Sequence, residues 1–209
     1  MDTLFKYPRT RHACWSRTIG EDDKVHESMD KFHGMEVVVT EKMDGENTSM
    51  YRDHYHARSI DSRNHYSRNA VKQIWGNIRY MIPEGYRVCG ENLYAEHSIA
   101  YTDLDSYFHG FSVWNDKNIA LSWDDTLKFF SDVGVTPVKE LYRGVYNEEL
   151  IKSLWDKSKH FQMEGYVIRY AGEIPYDEFG NLVAKFVRKG HVTTTEHWMT
   201  KAIVANKLK

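Results

Sequence analysis

Glu36-Val37-Val38-Val39-Thr40-Glu41-Lys42-Met43-Asp44-Gly45-Glu46-Asn47 is the stretch from which the rest of the chain is read. A run of β-formers leads straight into a lysine, an acid, a glycine and an amide. Lysine is rarely buried without a partner. Once desolvated or set near other cations, its amine loses its proton more readily and becomes a nucleophile. Gly45 lets the backbone turn closely past a ligand. On this reading Lys42 is a covalent nucleophile for the α-phosphate of a nucleotide. The plainer reading is a strand, an Asp44-Gly45 hairpin turn and a lysine in water. Lys-x-Asp-Gly arises by chance in about one chain in twenty of this size, so the choice rests on what lies downstream.

The totals narrow the field. A chain of 209 residues suits one large domain or two small ones. The formal charge of -2 gives no global signature of nucleic-acid binding, so any such binding uses a local patch. Fourteen tyrosines and six tryptophans supply core, or platforms for bases. Two cysteines, Cys14 and Cys89, are too few for a disulfide framework and fit a reducing, cytoplasmic compartment. No second Cys/His pair has zinc spacing. The N-terminus lacks the apolar core of a signal peptide, and no apolar run reaches membrane-spanning length.

Taken in order, residues 1–35 are polar and broken up, with Arg9, Arg11 and Arg17 available to phosphates. Residues 36–60 read as a hairpin: Val37–Lys42, the Asp44-Gly45 turn, then Thr48–Tyr51 and Tyr55–Ser59. The loop at 61–68 is rich in Arg, Asn and Ser, which suits phosphate or sugar contacts. Val71, Ile74, Trp75 and Ile78 have helix spacing. Tyr86–Tyr94 reads as a strand in which Gly90 marks a bulge or a close backbone approach. Residues 107–114 form another strand, and Ile119–Leu121 a short return. Ser122 opens a helix that Gly134 closes, and Asn147 caps a second one. Residues 163–170 are a strand opening with Glu164-Gly165, 176–181 a turn, and 182–189 a strand ending in positive charge. The tail from Thr193 to Leu208 reads as a helix. No repeat or linker divides the chain, which reads as one domain.

Four elements share one pattern. A strand end carries a lysine; one strand carries Gly90-Glu91; one opens Glu164-Gly165-Tyr166-Val167-Ile168-Arg169; one carries Lys185-Phe186-Val187-Arg188. Two carboxylates, a second lysine and several arginines are what adenylyl transfer needs. Carboxylates hold metal and ribose, and cations neutralise the triphosphate.

At this point the chain resembles the covalent nucleotidyltransferases, which include ATP-dependent polynucleotide ligases and RNA capping enzymes. Within them it looks most like the phage and bacterial RNA ligase 2-like group. The match runs from Lys42 to Lys189. Lys42–Asn47 corresponds to the nucleophile motif, with Asn47 at the asparagine typical of RNA ligases. Arg58-Ser59 fits the arginine motif that follows. Gly90–Tyr94 fits the glutamate motif that binds ribose. Tyr107–Trp114 fits the aromatic strand on which adenine stacks, with Phe111 the preferred stacker and Phe108 second. Glu164–Arg169 fits the glutamate motif near the metal, and Lys185–Arg188 the final lysine motif.

The resemblance implies an α+β fold, two antiparallel β-sheets enclosing a nucleotide pocket with flanking helices. It implies a single nucleotidyltransferase domain over 1–209, with no C-terminal accessory domain evident. It also implies a reaction. Lys42 takes AMP from ATP, AMP passes to the 5′-phosphate of an RNA, and a 3′-hydroxyl displaces it. ATP would be bound by Glu41, Lys42, Asn47, Arg58, Glu91, Phe111, Glu164 and Lys185. Mg²⁺ or Mn²⁺ would be held by Glu164 and Asp44, unless Asp44 instead bonds backbone amides in its own turn. RNA phosphates would meet Arg63, Arg68, Arg188 and Lys189, with Lys201, Lys207 and Lys209 as further candidates. RNA repair in the cytoplasm of a bacterial or virus-infected cell, beside an end-healing kinase or phosphatase, is the setting the resemblance implies.

There are departures. Val183 stands where the last motif often has a first lysine, with Arg188 or Lys189 as substitutes, and Ser112 where an aspartate is common. Three rival readings remain: a minimal ATP-dependent DNA ligase, a GTP-using capping transferase, and a catalytically silent RNA-binding module.

Overall fold

The computed structural model describes residues 3–155, 163–189 and 203–209. In chain order the strands are β1 (Arg11–His12), β2 (Glu36–Lys42), β3 (Glu46–Met50), β4 (Tyr55–Ala57), β5 (Arg87–Asn92), β6 (Phe108–Trp114), β7 (Ile119–Ala120), β8 (Thr136–Pro137), β9 (Glu140–Val145), β10 (Gly165–Tyr170), β11 (Ile174–Pro175) and β12 (Val183–Val187). The helices are α1 (Asn69–Ile78), α2 (Trp123–Val133), α3 (Glu148–Ser153) and α4 (Phe179–Leu182). Among the described residues the strands form two sheets. One has the order β1-β12-β10-β2-β9, and the other β11-β7-β6-β5-β3-β4 with β8 beside β6. Pairing is antiparallel except at β1–β12 and β6–β8. This is the expected α+β architecture.

The valine run explains the position of β2. Val37, Val38 and Val39 are all fully buried. Val37 and Val39 join Phe32, Tyr166, Ile168 and Phe186 in one core cluster. Val38 faces the other way, into a cluster with Leu93, Tyr101 and Trp123. A strand covered on both faces needs no polar alternation. It therefore sits inside its sheet, flanked by β10 and β9.

Its exit corrects one expectation. Residues 36–51 are not a hairpin, because β2 and β3 lie in different sheets. Met43, Asp44 and Gly45 carry the chain from one sheet to the other. A Cβ at Gly45 would strike the Asn92 carbonyl, so the crossover presses against the end of β5. The hairpin in this region is β3–β4. The Asp-Gly pair supplied the tight bend, but both sides of β2 were already taken by other strands.

The other elements follow local rules. The Ser122 hydroxyl accepts the Asp125 N–H at 3.1 Å and caps α2, and Gly134 closes it at φ 75°. Asn147 caps α3 by accepting the Leu150 N–H at 3.0 Å. Helix α1 sends Val71 and Ile78 into a core with Met50, Val88 and Val113. The register shift between Cys89 and Gly90 is the bulge that Gly90 announced. Strand β9 had no clear signal, since Glu140, Arg143 and Val145 are exposed along it. Residues 176–181, expected as a turn, are instead a 3₁₀ turn (Tyr176–Glu178) running into α4. The helix expected over 193–208 lies largely outside the described residues. Its described part is not helical, for Ala205 bridges to Ala95 and Leu208 to Leu104.

The close approach of β10 and β12 is tightest at Gly165, where a Cβ would fall on the carbonyl of Phe186. Gly165→Ala must push the two strands apart. We expect a loss of about 1–3 kcal/mol of stability in urea unfolding; an unchanged midpoint would contradict the register.

Candidate active site

Register brings the charged residues together. Gly165 pairs with Lys42 across β10 and β2, so Glu164, one residue earlier, stands beside the lysine. Val167 pairs with Thr40 on one side and Lys185 on the other. Lys185 therefore joins the same face. In the second sheet Asn47 pairs with Glu91. The crossover at 43–45 sets the two groups against each other. The cleft between them has a volume of about 600 Å³.

Lys42 Nζ donates to Glu164 Oε2 at 2.6 Å. The lysine side chain is 25% exposed and the glutamate 6%. Burial opposes the lysine charge, but Glu164, Glu91 and Asp44 outweigh it and hold the amine above the usual lysine range. The expectation of a lysine depressed by desolvation is thus reversed in the empty cleft, because three carboxylates lie near it. Glu91 carries the complementary strain. Burial raises its carboxyl, Lys42 pulls it down, Glu164, Asp44 and Glu46 push it up, and the balance lies at about 8. Lys185 is half-buried and held below the usual lysine value, first by burial, against the pull of Asp23. Its ammonium lies 3.4 Å from Asp23 Oδ1.

The rest of the lining divides by chemistry. Phe111, Val138, Val167, Ile174, Phe179 and Val183 give an apolar wall. Phe111 faces the cleft and meets Tyr7 edge-on at 5.1 Å between ring centroids. Phe108 is fully buried in the core behind, so it does not stand as a second stacker. Asn47 lines the cleft, and its Oδ1 is buried without a hydrogen-bond partner among the described residues. Buried polar atoms are seldom left so. Glu41 also lines the cleft, and its N–H donates to Lys139 O. Arg58 is exposed at the mouth, where a smaller annex opens between Lys6, Tyr7, Pro8, Arg9, Ser59 and Tyr176.

Several expectations need correction. Asp44 is not part of the lining; its Oδ2 accepts the Ser98 and Ile99 N–H groups at 2.7 and 3.0 Å. It bonds backbone amides, but those of the distant 98–99 segment and not those of its own turn. Arg68 is buried, and donates through Nε and Nη2 to both carboxylate oxygens of Glu46. It is a wall of the cleft, not a surface contact for RNA. Arg188 is buried too, its N–H on the Glu164 carbonyl and its carbonyl on Thr18. Arg63 and Lys189 are exposed. Lys201 lies outside the described residues; Lys207 and Lys209 are exposed, and Lys209 pairs with Asp105 at 2.8 Å. Neither Arg188 nor Lys189 lines the cleft, so neither replaces the missing lysine at Val183. Among the described residues the cations that line it are Lys42, Arg58, Arg68, Arg169 and Lys185. Arg68 is committed to Glu46, and Arg169 to the Tyr170 and Leu121 carbonyls. Lys185 leans on Asp23 at 3.4 Å, and Arg58 stands exposed at the mouth.

The sequence reading missed Tyr7 and the Glu46–Arg68 pair. Tyr7 stands on an irregular arm with no periodic signal. Glu46 and Arg68 are far apart in the chain, and only the fold of the 58–68 loop brings them together.

Among the described residues no three His, Cys, Asp or Glu side chains cluster as a metal site. Glu41 lines the cleft and Glu164 lies behind Lys42; carboxylates are the donor type a hard divalent cation takes, with its other oxygen ligands from phosphates and water.

A model of the RNA ligase family matches residues 35–187. Among solved structures, the Naegleria gruberi RNA ligase with PPi aligns at 20% identity and a TM-score of 0.57, covering 79% of this chain and 53% of that one. A glutamate-to-alanine variant of that ligase with ATP and Mn aligns at 15% identity and a TM-score of 0.58, covering 93% and 65%. A lysine-to-alanine variant with ATP and Mn aligns at 16% and 0.56, covering 79% and 53%. At these identities the likeness is one of fold, and this chain spans between about half and two thirds of the length of those it matches. No curated protein sequence matches it.

The raised carboxyl of Glu91 makes a pH prediction. In the fold it keeps its proton up to about 8, whereas unfolded it loses it near 4.3. Between these values the folded state binds more protons, so its contribution to stability falls as pH rises through that window. Glu91→Gln removes the fall. Thermal unfolding of the variant, relative to wild type, is expected to improve from pH 5 to pH 8.5. A relative change in the other direction would contradict a buried, proton-holding Glu91.

Proposed function

We propose that this chain, which belongs to the RNA ligase family, is an ATP-dependent RNA ligase acting through an AMP adduct on Lys42. The single observation that carries the reading is the Lys42–Glu164 pair at 2.6 Å in a cleft that also holds Glu91, Asn47, Phe111 and Lys185. All of 1–209 is taken as one nucleotidyltransferase domain.

In this reading Phe111 and the apolar wall take the adenine, with Tyr7 bracing the ring. Glu91, with its proton, and Asn47 Oδ1 meet the ribose hydroxyls. Lys185 and Arg58 face the phosphates. A divalent cation, magnesium or manganese, would neutralise phosphate charge when bound, with Glu164 and Glu41 as its protein ligands. Lys42 must lose a proton before it attacks, and Glu164 Oε2 is the acceptor in reach. The lone pair on Nζ then forms the N–P bond to the α-phosphorus, and pyrophosphate leaves with the electrons of the broken P–O bond. In the second step an oxygen of a 5′-phosphate attacks that phosphorus, the N–P bond breaks, and Lys42 takes a proton back. In the third a 3′-hydroxyl gives its proton to solvent and attacks the 5′-phosphate, and AMP leaves with the electrons of the broken P–O bond.

The incoming strand would enter through the annex. Lys6, Arg9 and Arg58 line it, and among the described residues no carboxylate does. That is a fitting mouth for a terminal phosphate, and it takes the place that Arg68 and Arg188 do not fill. A role in RNA repair follows from such ends, with a kinase or phosphatase that heals them as the partner.

The test is incubation with [α-³²P]ATP and a divalent cation, then denaturing electrophoresis. We expect acid-labile label on wild type and none on Lys42→Ala. Glu164→Gln should label about 10²–10³-fold more slowly, the scale set by loss of one preorganised charge. Label on Lys42→Ala would move the nucleophile elsewhere, and label from GTP but not ATP would replace the ligase by a capping transferase. With nicked duplexes, sealing only of DNA 3′-ends would replace RNA as substrate.

A further inference from the structure

Asn206 is buried, far in sequence from any residue of the cleft. Its side chain is fully engaged. Oδ1 accepts the Tyr101 N–H at 2.8 Å. Nδ2 donates to the carbonyls of Leu93 at 2.8 Å and Ala95 at 3.2 Å. Its own N–H donates to Tyr94 O at 2.8 Å, and its carbonyl accepts the Tyr107 hydroxyl at 3.0 Å. The neighbouring residues continue the seam. Glu96 N–H donates to Val204 O, Lys207 N–H to Tyr101 O, and Lys209 N–H to Leu104 O.

The segment held in this way is the long connection between β5 and β6, residues 93–107. Among the described residues its middle is bridged by 204–209, Ala95 to Ala205 and Leu104 to Leu208. The same connection holds the crossover that follows Lys42. Its Ser98 and Ile99 N–H groups donate to Asp44 Oδ2, and the Tyr101 hydroxyl accepts the Asp44 N–H at 2.9 Å. Tyr101 is thus fixed at its backbone by Asn206 and Lys207, and at its ring tip by Asp44. β2 ends at Lys42. The direction in which that lysine leaves the sheet depends on where residues 43–45 are anchored.

We infer that Asn206 is a positioning residue for the lysine chemistry, acting through Tyr101 and Asp44 on the aim of Lys42. The inference rests on the adenylyl-transfer reading above. The physical lever is geometry. Asn206 touches neither the cleft nor anything bound in it, so its loss leaves the ATP-binding groups in place and misaligns the attacking amine. Misplacement of a reacting group by about 1 Å costs about a hundredfold in rate. Removing the side chain also leaves three backbone groups without their partners, which loosens the 93–101 segment.

The experiment uses the full chain as wild type, Asn206→Ala, Tyr101→Phe and the double variant, below the unfolding temperature of each. The rate of Lys42 labelling is measured against ATP concentration. Amide hydrogen exchange is followed at Ser98 and Ile99. We expect Asn206→Ala and Tyr101→Phe each to slow labelling at saturating ATP by about tenfold or more, with the half-saturating ATP concentration within about threefold of wild type. The double variant should be no slower than the slower single variant, because both act through one chain of contacts. Exchange at Ser98 and Ile99 should rise in Asn206→Ala. Wild-type labelling rates with only a lower unfolding temperature would overturn the inference, as would slowing factors that multiply in the double variant. If wild type takes no label, the adenylyl-transfer reading has failed. The clip is then judged by exchange alone, and unchanged protection at Ser98 and Ile99 in Asn206→Ala overturns it. Tyr101→Phe removes one oxygen only, so it decides the question if Asn206→Ala fails to fold.

Discussion

The ion pair between Lys42 and Glu164 is the contact on which the site depends. The carboxylate is 6% exposed and the ammonium 25% exposed, and they meet at 2.6 Å. Breaking a buried pair by removing one partner costs about 3–5 kcal/mol, since the other charge is left uncompensated. This pair therefore binds two strands as well as two charges. Lys42 ends β2, Glu164 precedes β10, and register between those strands sets the distance. Anything that takes hold of Glu164, or receives the proton between them, frees the lysine. In the empty cleft the amine is charged and quiet, a resting state in keeping with a nucleophile used only when its substrate is present.

Around that pair the molecule is arranged by close approach. Gly45 lies against the end of β5, Gly90 against the Phe108 ring, and Gly165 against the Phe186 carbonyl. Each is a point where the backbone comes nearer to a neighbour than a side chain permits, and the three lie where the charged residues enter the cleft. Glu46–Arg68 holds the loop on one side of the cleft. Asp44, Tyr101 and Asn206 hold the crossover from behind. The ionisable groups are thus supported by backbone geometry and by polar contacts that end on backbone atoms.

Much of this was legible in the sequence, for reasons that can be named. The valine run, the glycine–glutamate strand and the capped helices are local patterns, and they appear where they were expected. Lys42, Glu91, Glu164, Lys185, Asn47 and Phe111 do converge, and the resemblance of their motifs located them. What was misread depends on contacts between distant segments. Asp44-Gly45 gives the same local signal whether the next strand folds back or crosses to another sheet, and only the partners of β2 decide which. An arginine in a polar loop looks like a surface charge until its carboxylate is found, as with Arg68. The burial of Arg188 follows from the β12 register, and a lysine among three carboxylates is charged whatever its burial alone would suggest. Nothing in residues 203–209 announces that they lie beside 93–107.

The most direct measurement is the titration of Lys42 itself, by NMR of the labelled side chain in the empty protein. Lys42 is expected to titrate above the ordinary lysine value of about 10.4, and lower in Glu164→Gln than in wild type. A Lys42 that titrates below the ordinary value in wild type would contradict the account, because burial would then have outweighed the carboxylates.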